Sequence, residues 1–126
     1  HVVQPAEWIE EAREDGGVQR TFVAYSMGNF ISNQRDIPRD AGVIFDFLVE
    51  KDLETGHCSV AEVGYVPTWV LKHYEGGKTG YAVLPAGAYR GAEYPGLVGG
   101  HRARIQAVWE ETCGMLGACG ATALEE

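Results

Sequence analysis

Two apolar runs joined by a short polar turn constrain this chain more than any other feature. Gly42–Glu50 (GVIFDFLVE) is dense in β-branched and aromatic residues, which suit a pleated, half-buried surface. Asp52–Gly56 (DLETG) supplies a turn, and His57–Val66 (HCSVAEVGYV) alternates well enough to return as the antiparallel partner. Thr68–Tyr74 extends that strand past Pro67, because proline is tolerated at an edge or a bulge. Such a sheet needs a cover. Near the C-terminus, His101–Leu116 sets Ile105, Val108, Trp109, Thr112 and Leu116 at spacings of three and four, the stripe of an amphipathic helix with Gly117 as its stop.

The remaining segments are shorter. Arg20–Tyr25 reads as a strand ending in Ser-Met-Gly-Asn-Phe, with a turn at Gly28-Asn29, and Asn33–Ala41 reads as an exposed polar loop. Gly80–Leu84 is expected to be the last strand, and Pro85–Gly100 a loop. Ala6–Asp15 carries Trp8, Ile9 and Ala12 among acidic residues, which predicts a weak helix or helical turn stopped by Gly16-Gly17. At 126 residues and 45% hydrophobic content the chain suits one globular domain and not a disordered or fibrous protein.

Charge removes two classes of partner. Ten basic residues face eighteen acidic ones, a net charge of −8, whereas phosphate backbones and anionic membranes demand clustered Lys and Arg. Nucleic acid is therefore not expected as a partner. Three cysteines, Cys58, Cys113 and Cys119, without a Cys-x-x-Cys spacing exclude a zinc ribbon and allow at most one disulfide; unpaired structural thiols are the expectation. No apolar run is long enough to span a bilayer.

Three segments in order carry a likeness to one family. They are His1-Val2-Val3-Gln4-Pro5, then Tyr25-Ser26-Met27-Gly28-Asn29-Phe30-Ile31-Ser32-Asn33-Gln34, then Tyr65-Val66-Pro67-Thr68-Trp69. Together they resemble the C-terminal part of CapA-type poly-γ-glutamate capsule proteins, in which an HPHVVQP-like segment precedes a YSLGNFISNQ-like one. Met27 for Leu is the departure in the second segment and conserves volume. The likeness covers about residues 1–69 and does not reach Val70–Glu126. It implies one metallophosphoesterase-like domain, of which residues 1–74 are the family-like β-rich part and 75–126 a glycine-rich loop and C-terminal helix. The fold implied is α/β, the C-terminal half of a four-layer sandwich, with mixed or antiparallel strands plus a C-terminal helix. The opening His-Val-Val-Gln-Pro, resembling the middle of a motif, leads us to expect a piece of a longer protein whose missing N-terminal half is the first partner. An exposed sheet edge and a large apolar face are then expected where that half, or a homo-oligomeric neighbour, would pair.

The resemblance also assigns roles. His1 falls on the second histidine of a paired-histidine metal motif and would ligate a divalent ion, Mn, Zn or Fe, through a ring nitrogen; a terminal histidine in solvent is the bland alternative. The ions would serve metal-assisted hydrolysis, with further ligands from the missing half. Ser26 and Asn29, at the end of a strand, are candidates to bind substrate, or else cap the turn, with Asn29 left-handed. Arg35, with Arg39, would meet an anionic polymer such as poly-γ-glutamate, or else pair with Asp36 and Asp40. No histidine and aspartate stand near Ser26 in sequence to make it a nucleophile. The functions implied are capsule-polymer biosynthesis or processing, as a metal-dependent hydrolase of an anionic polymer, or non-catalytic polymer binding or export. Both imply the cell envelope.

Overall fold

The computed structural model describes residues 1–125 as an α/β fold of two sheets and two helices. Six strands run in the order β1 (Ala6–Ala12), β2 (Val18–Ala24), β3 (Ala41–Lys51), β4 (Cys58–Glu75), β5 (Lys78–Pro85) and β6 (Thr122–Ala123). Helix α1 (Ala86–Tyr89) and helix α2 (Gly99–Leu116) lie between β5 and β6. The larger sheet is ordered β3-β4-β5 with antiparallel neighbours, and β6 adds to β4 in parallel, so the sheet is mixed. The expected hairpin is its centre: Val43 faces Pro67 and Phe47 faces Val63, with a register shift between Leu48 and Val49.

Pro67 is accommodated by a gap. Val43 N–H points away from β4, donating to Met27 O at 2.9 Å, so Val43 and Pro67 form a pair without mutual hydrogen bonds. The missing N–H of Pro67 therefore faces the other side of β4, where β6 has ended at Tyr65 and β5 begins only at Thr68. No ladder bond is lost, and an 18-residue strand passes through a proline.

Helix α2 covers one face of this sheet. Ile105, Val108, Thr112 and Leu116 are its buried residues, the predicted stripe, and Trp109 is half-buried under the Arg90 guanidinium, 4.5 Å above its ring. Ile105 and Val108 pack with Ala41, Trp69, Leu71, Leu84 and Ala86, and Leu116 joins a second cluster with Val3, Val43, Tyr65 and Cys119. Helix α2 ends at Leu116 with Gly117 as its C-cap, as expected; a 3-10 turn then continues to Cys119 and the chain reverses at Gly120, φ +74°. All three cysteines are free, and Cys119 Sγ donates to Leu116 O at 2.9 Å. Burial, with the Cys113 thiol beside it, pushes the Tyr65 phenol well above its ordinary range.

Three expectations are corrected. Ala6–Ala12 is a strand and not a helical turn: it pairs antiparallel with β2, Trp8 opposite Phe22 and Glu10 opposite Arg20. Trp8 meets Phe22 edge-on at 5.2 Å, Arg20 lies 4.5 Å above Trp8, and Arg20 Nε reaches Glu10 at 3.0 Å. Gly16, at φ +83°, turns a hairpin. The Pro85–Gly100 segment contains helix α1, and β5 is not the last strand, because Thr122–Ala123 returns to β4.

Candidate functional site

The three resembling segments meet in space. Val3 bridges Met27 in antiparallel sense, with Gln4 N–H donating to Ser26 O at 3.0 Å, and Gly28 in turn bridges Gly42 of β3. His1 is exposed, and Asn29 is half-buried. Two glycines allow the second crossing. A Cβ on Gly28 would lie 2.7 Å from Ala41 O, and one on Gly42 would lie 2.6 Å from Asn29 O. Gly28 carries the left-handed conformation, φ +71°, and Asn29 does not, since no residue other than glycine has a positive φ among the described residues.

Hydrogen bonds fix the candidate side chains. Ser26 Oγ accepts from Gly28 N–H at 3.3 Å, capping the turn. Asn29 donates both amide hydrogens from Nδ2, to Gln34 Oε1 at 2.9 Å and to Arg39 O at 2.7 Å. Arg35 turns inward: Nε, Nη1 and Nη2 donate to the carbonyls of Gln34 (3.1 Å), Val70 (2.6 Å) and Ser32 (3.0 Å). It therefore ties the 29–40 segment to β4. Lys72 Nζ, 3.0 Å from Asn33 Oδ1, adds a second tie. Arg39 is the arginine that meets an acid of the loop, Asp36 at 3.1 Å. Replacing Arg35 with lysine, which has one nitrogen for three carbonyls, is expected to lower stability by about 1–2 kcal/mol, read from the urea midpoint.

Asp40 closes the segment, and its partner is not one of the loop arginines expected for it. It pairs with Arg104 of α2, Arg104 Nη2 to Oδ1 at 2.9 Å and Nε to Oδ2 at 3.0 Å, while Trp69 Nε1 donates to Oδ2 at 2.8 Å. The side chains are 6% and 12% exposed, so this is a buried, bidentate pair. Arg104 Nη1 also reaches Glu111 Oε2 at 3.1 Å. Burial by itself would raise the Asp40 carboxyl; the Arg104 and Trp69 hydrogen bonds with the Arg104 charge outweigh it and hold the group below the usual carboxylate range.

Beside the site lies an unpartnered apolar surface. Met27, Phe30, Ile31, Ile44 and Phe47 are 41–60% exposed, and a groove of about 370 Å³ runs among Met27, Phe30, Ile44 and Phe47. Past Val43 the outer edge of β3 has no neighbouring strand among the described residues. Among the described residues no three His, Cys, Asp or Glu side chains cluster as a metal site, and no helix is long and apolar enough to cross a membrane. His1 and Asn29 suit a divalent ion chemically, as imidazole nitrogen and amide oxygen, but supply only two donors. No family profile, curated protein or solved structure matches the chain.

Proposed function

We propose that this chain is the C-terminal part of a CapA-type protein that acts on poly-γ-glutamate at the cell envelope, in its intact form as a metal-dependent hydrolase of that anionic polymer. The observation that carries this reading is the convergence of the resembling segments: Val3 bridges Met27, Gly28 bridges Gly42 of β3, and Val43 of β3 faces Pro67. The open edge of β3 and the apolar surface around Phe30 and Phe47 support a metallophosphoesterase-like layering, in which a missing N-terminal half covers them. A homo-oligomeric neighbour is the other candidate cover.

Within that reading the bound ions would activate a water and polarise the bond to be cleaved. This chain's own residues hold the frame. Gly28 and Gly42 let the strands cross closely, Arg35 and Asp40 anchor the loop, and Asn29 is held by its bonds to Gln34 and Arg39. The test is co-sedimentation and cleavage of poly-γ-glutamate by the intact protein carrying its upstream sequence. Metal-dependent chain shortening that EDTA abolishes is expected. Retention of the polymer without shortening would leave only the binding role, and neither would refute the proposal.

A further inference from the structure

The backbone of β3 alternates between groups spent on β4 and groups left free. Val43 N–H points away from β4, to Met27 O, and at the other end Asp52 N–H points toward it, to His57 O at 2.8 Å. Between them the antiparallel alternation turns Ile44, Asp46, Leu48 and Glu50 toward the β4 ladder and Phe45, Phe47 and Val49 outward. Among the described residues no strand lies beside those three. Side chains alternate as well. Phe45 and Phe47 meet the Phe22 ring on one face, at 5.4 and 5.8 Å, and the other face carries Ile44, Asp46, Leu48 and Glu50, all exposed. Glu62 of β4 stands across from Leu48. From Gly42 to Glu50 and from Ser59 to Val66 there is no lysine or arginine, and Asp46, Glu50 and Glu62 join none of the ion pairs among the described residues. The open edge is therefore apolar on the Phe22 side and acidic on the other.

We infer that this edge docks an extended segment in which apolar residues alternate with Lys or Arg, brought by the upstream part of the protein and not by a second copy of this chain. The segment's backbone completes the ladder at Phe45, Phe47 and Val49, and its cations stand opposite Asp46 and Glu50. Its apolar side chains extend the Phe22 face and reach the groove at Met27, Phe30, Ile44 and Phe47. A second copy lacks the matching charge. Its own β3 would add Asp46 and Glu50 to a face that already holds three carboxylates, while Lys51, at an odd position, lies on the Phe22 side. That the strand comes from upstream rests on the function proposed above; the chemistry of the edge does not.

Amide hydrogen exchange on the 126-residue chain tests the edge, with an acetylated and amidated octapeptide of alternating valine and lysine as the probe. The peptide should slow exchange at Phe45, Phe47 and Val49 and leave Ile44, Asp46 and Leu48, already in the β4 ladder, unchanged. The matching valine–glutamate peptide should bind at least about tenfold more weakly. Changing both exposed acids, Asp46→Lys with Glu50→Lys, should reverse that order. Equal slowing of the two sets of amides, the mark of unselective attraction to a chain of net charge −8, overturns the inference, and so does equal binding of the two peptides. Slowing at the outward amides when the chain is concentrated without peptide makes a second copy the occupant and overturns the assignment. In the intact protein with its upstream sequence those three amides should already be slow, and the valine–lysine peptide should not bind; fast exchange there also overturns it. An intact protein that cleaves poly-γ-glutamate with these amides still fast keeps the proposed function and loses this inference. Slow amides with no action on the polymer do the reverse.

Discussion

Replacing Arg104 with alanine is expected to lower the stability of the fold by about 3–5 kcal/mol, because it leaves the Asp40 carboxylate buried without its counter-charge. That is a large share of the roughly 5–15 kcal/mol that holds a domain folded. A paired change, Asp40→Asn with Arg104→Met, should recover most of it: the amide oxygen still accepts from Trp69, and no unpaired charge is buried. Urea denaturation of the four chains in a double-mutant cycle gives the coupling. The dependence on pH has a definite sign. Asp40 holds its proton less tightly folded than unfolded, so the contribution of the pair is complete above the ordinary aspartate value of about 4 and is lost as pH falls through the lower folded value. Without Arg104, burial, the largest influence, is opposed only by the Trp69 and backbone hydrogen bonds, and the same carboxyl rises. The variant should then regain stability on protonation, and the gap between it and the parent chain should narrow in acid. A gap that is constant with pH would show that lost packing, and not the buried charge, is responsible.

Gly28→Ala is the second large effect. A methyl group there meets Ala41 O at 2.7 Å and Val3 Cγ2 at 2.9 Å, and the residue must also hold φ +71°. Strain of about 1–2 kcal/mol for the backbone adds to about 1–3 kcal/mol for overpacking. The expected outcome is a loss of about 3 kcal/mol, together with faster hydrogen exchange at the amides of Asn29 and Val43, which bond across this crossing. Unchanged exchange at both would mean that the strands separate less readily than the close approach implies. Gly56→Ala is the control, because that glycine has a similar φ, +76°, and open space around it.

The sequence was most informative where structure is local. The β3–β4 hairpin, the extension of β4 past Pro67 and the α2 stripe all follow from residue patterns within one element, and all are present. Strand β1 misled because Trp8, Ile9 and Ala12 fit a helical spacing. What decides its conformation is Phe22 and Arg20 on the neighbouring strand, which no local window contains. Strand β6 is two residues long and exists only because Gly64 and Tyr65 lie beside it. The candidate site was legible as a set of segments and not as a set of contacts. Arg35 was expected to face a polymer, or else an acid of its own loop, and it binds three backbone carbonyls. The acid of that loop paired most deeply, Asp40, finds its arginine on α2. Partners that far apart in sequence leave no spacing to read.

Strand β4 also sets an order of assembly. It is shared by β3 and β5, its neighbours in sequence, through tight turns, and by β6, which returns after the whole of α2. Closing a short loop costs less chain entropy than closing a long one, so the two hairpins form on β4 early and β6 docks last. The parallel pair at Gly64 and Thr122, with Leu124 N–H on Tyr65 O at 2.8 Å, is thus the clasp that fastens when the helix has already settled.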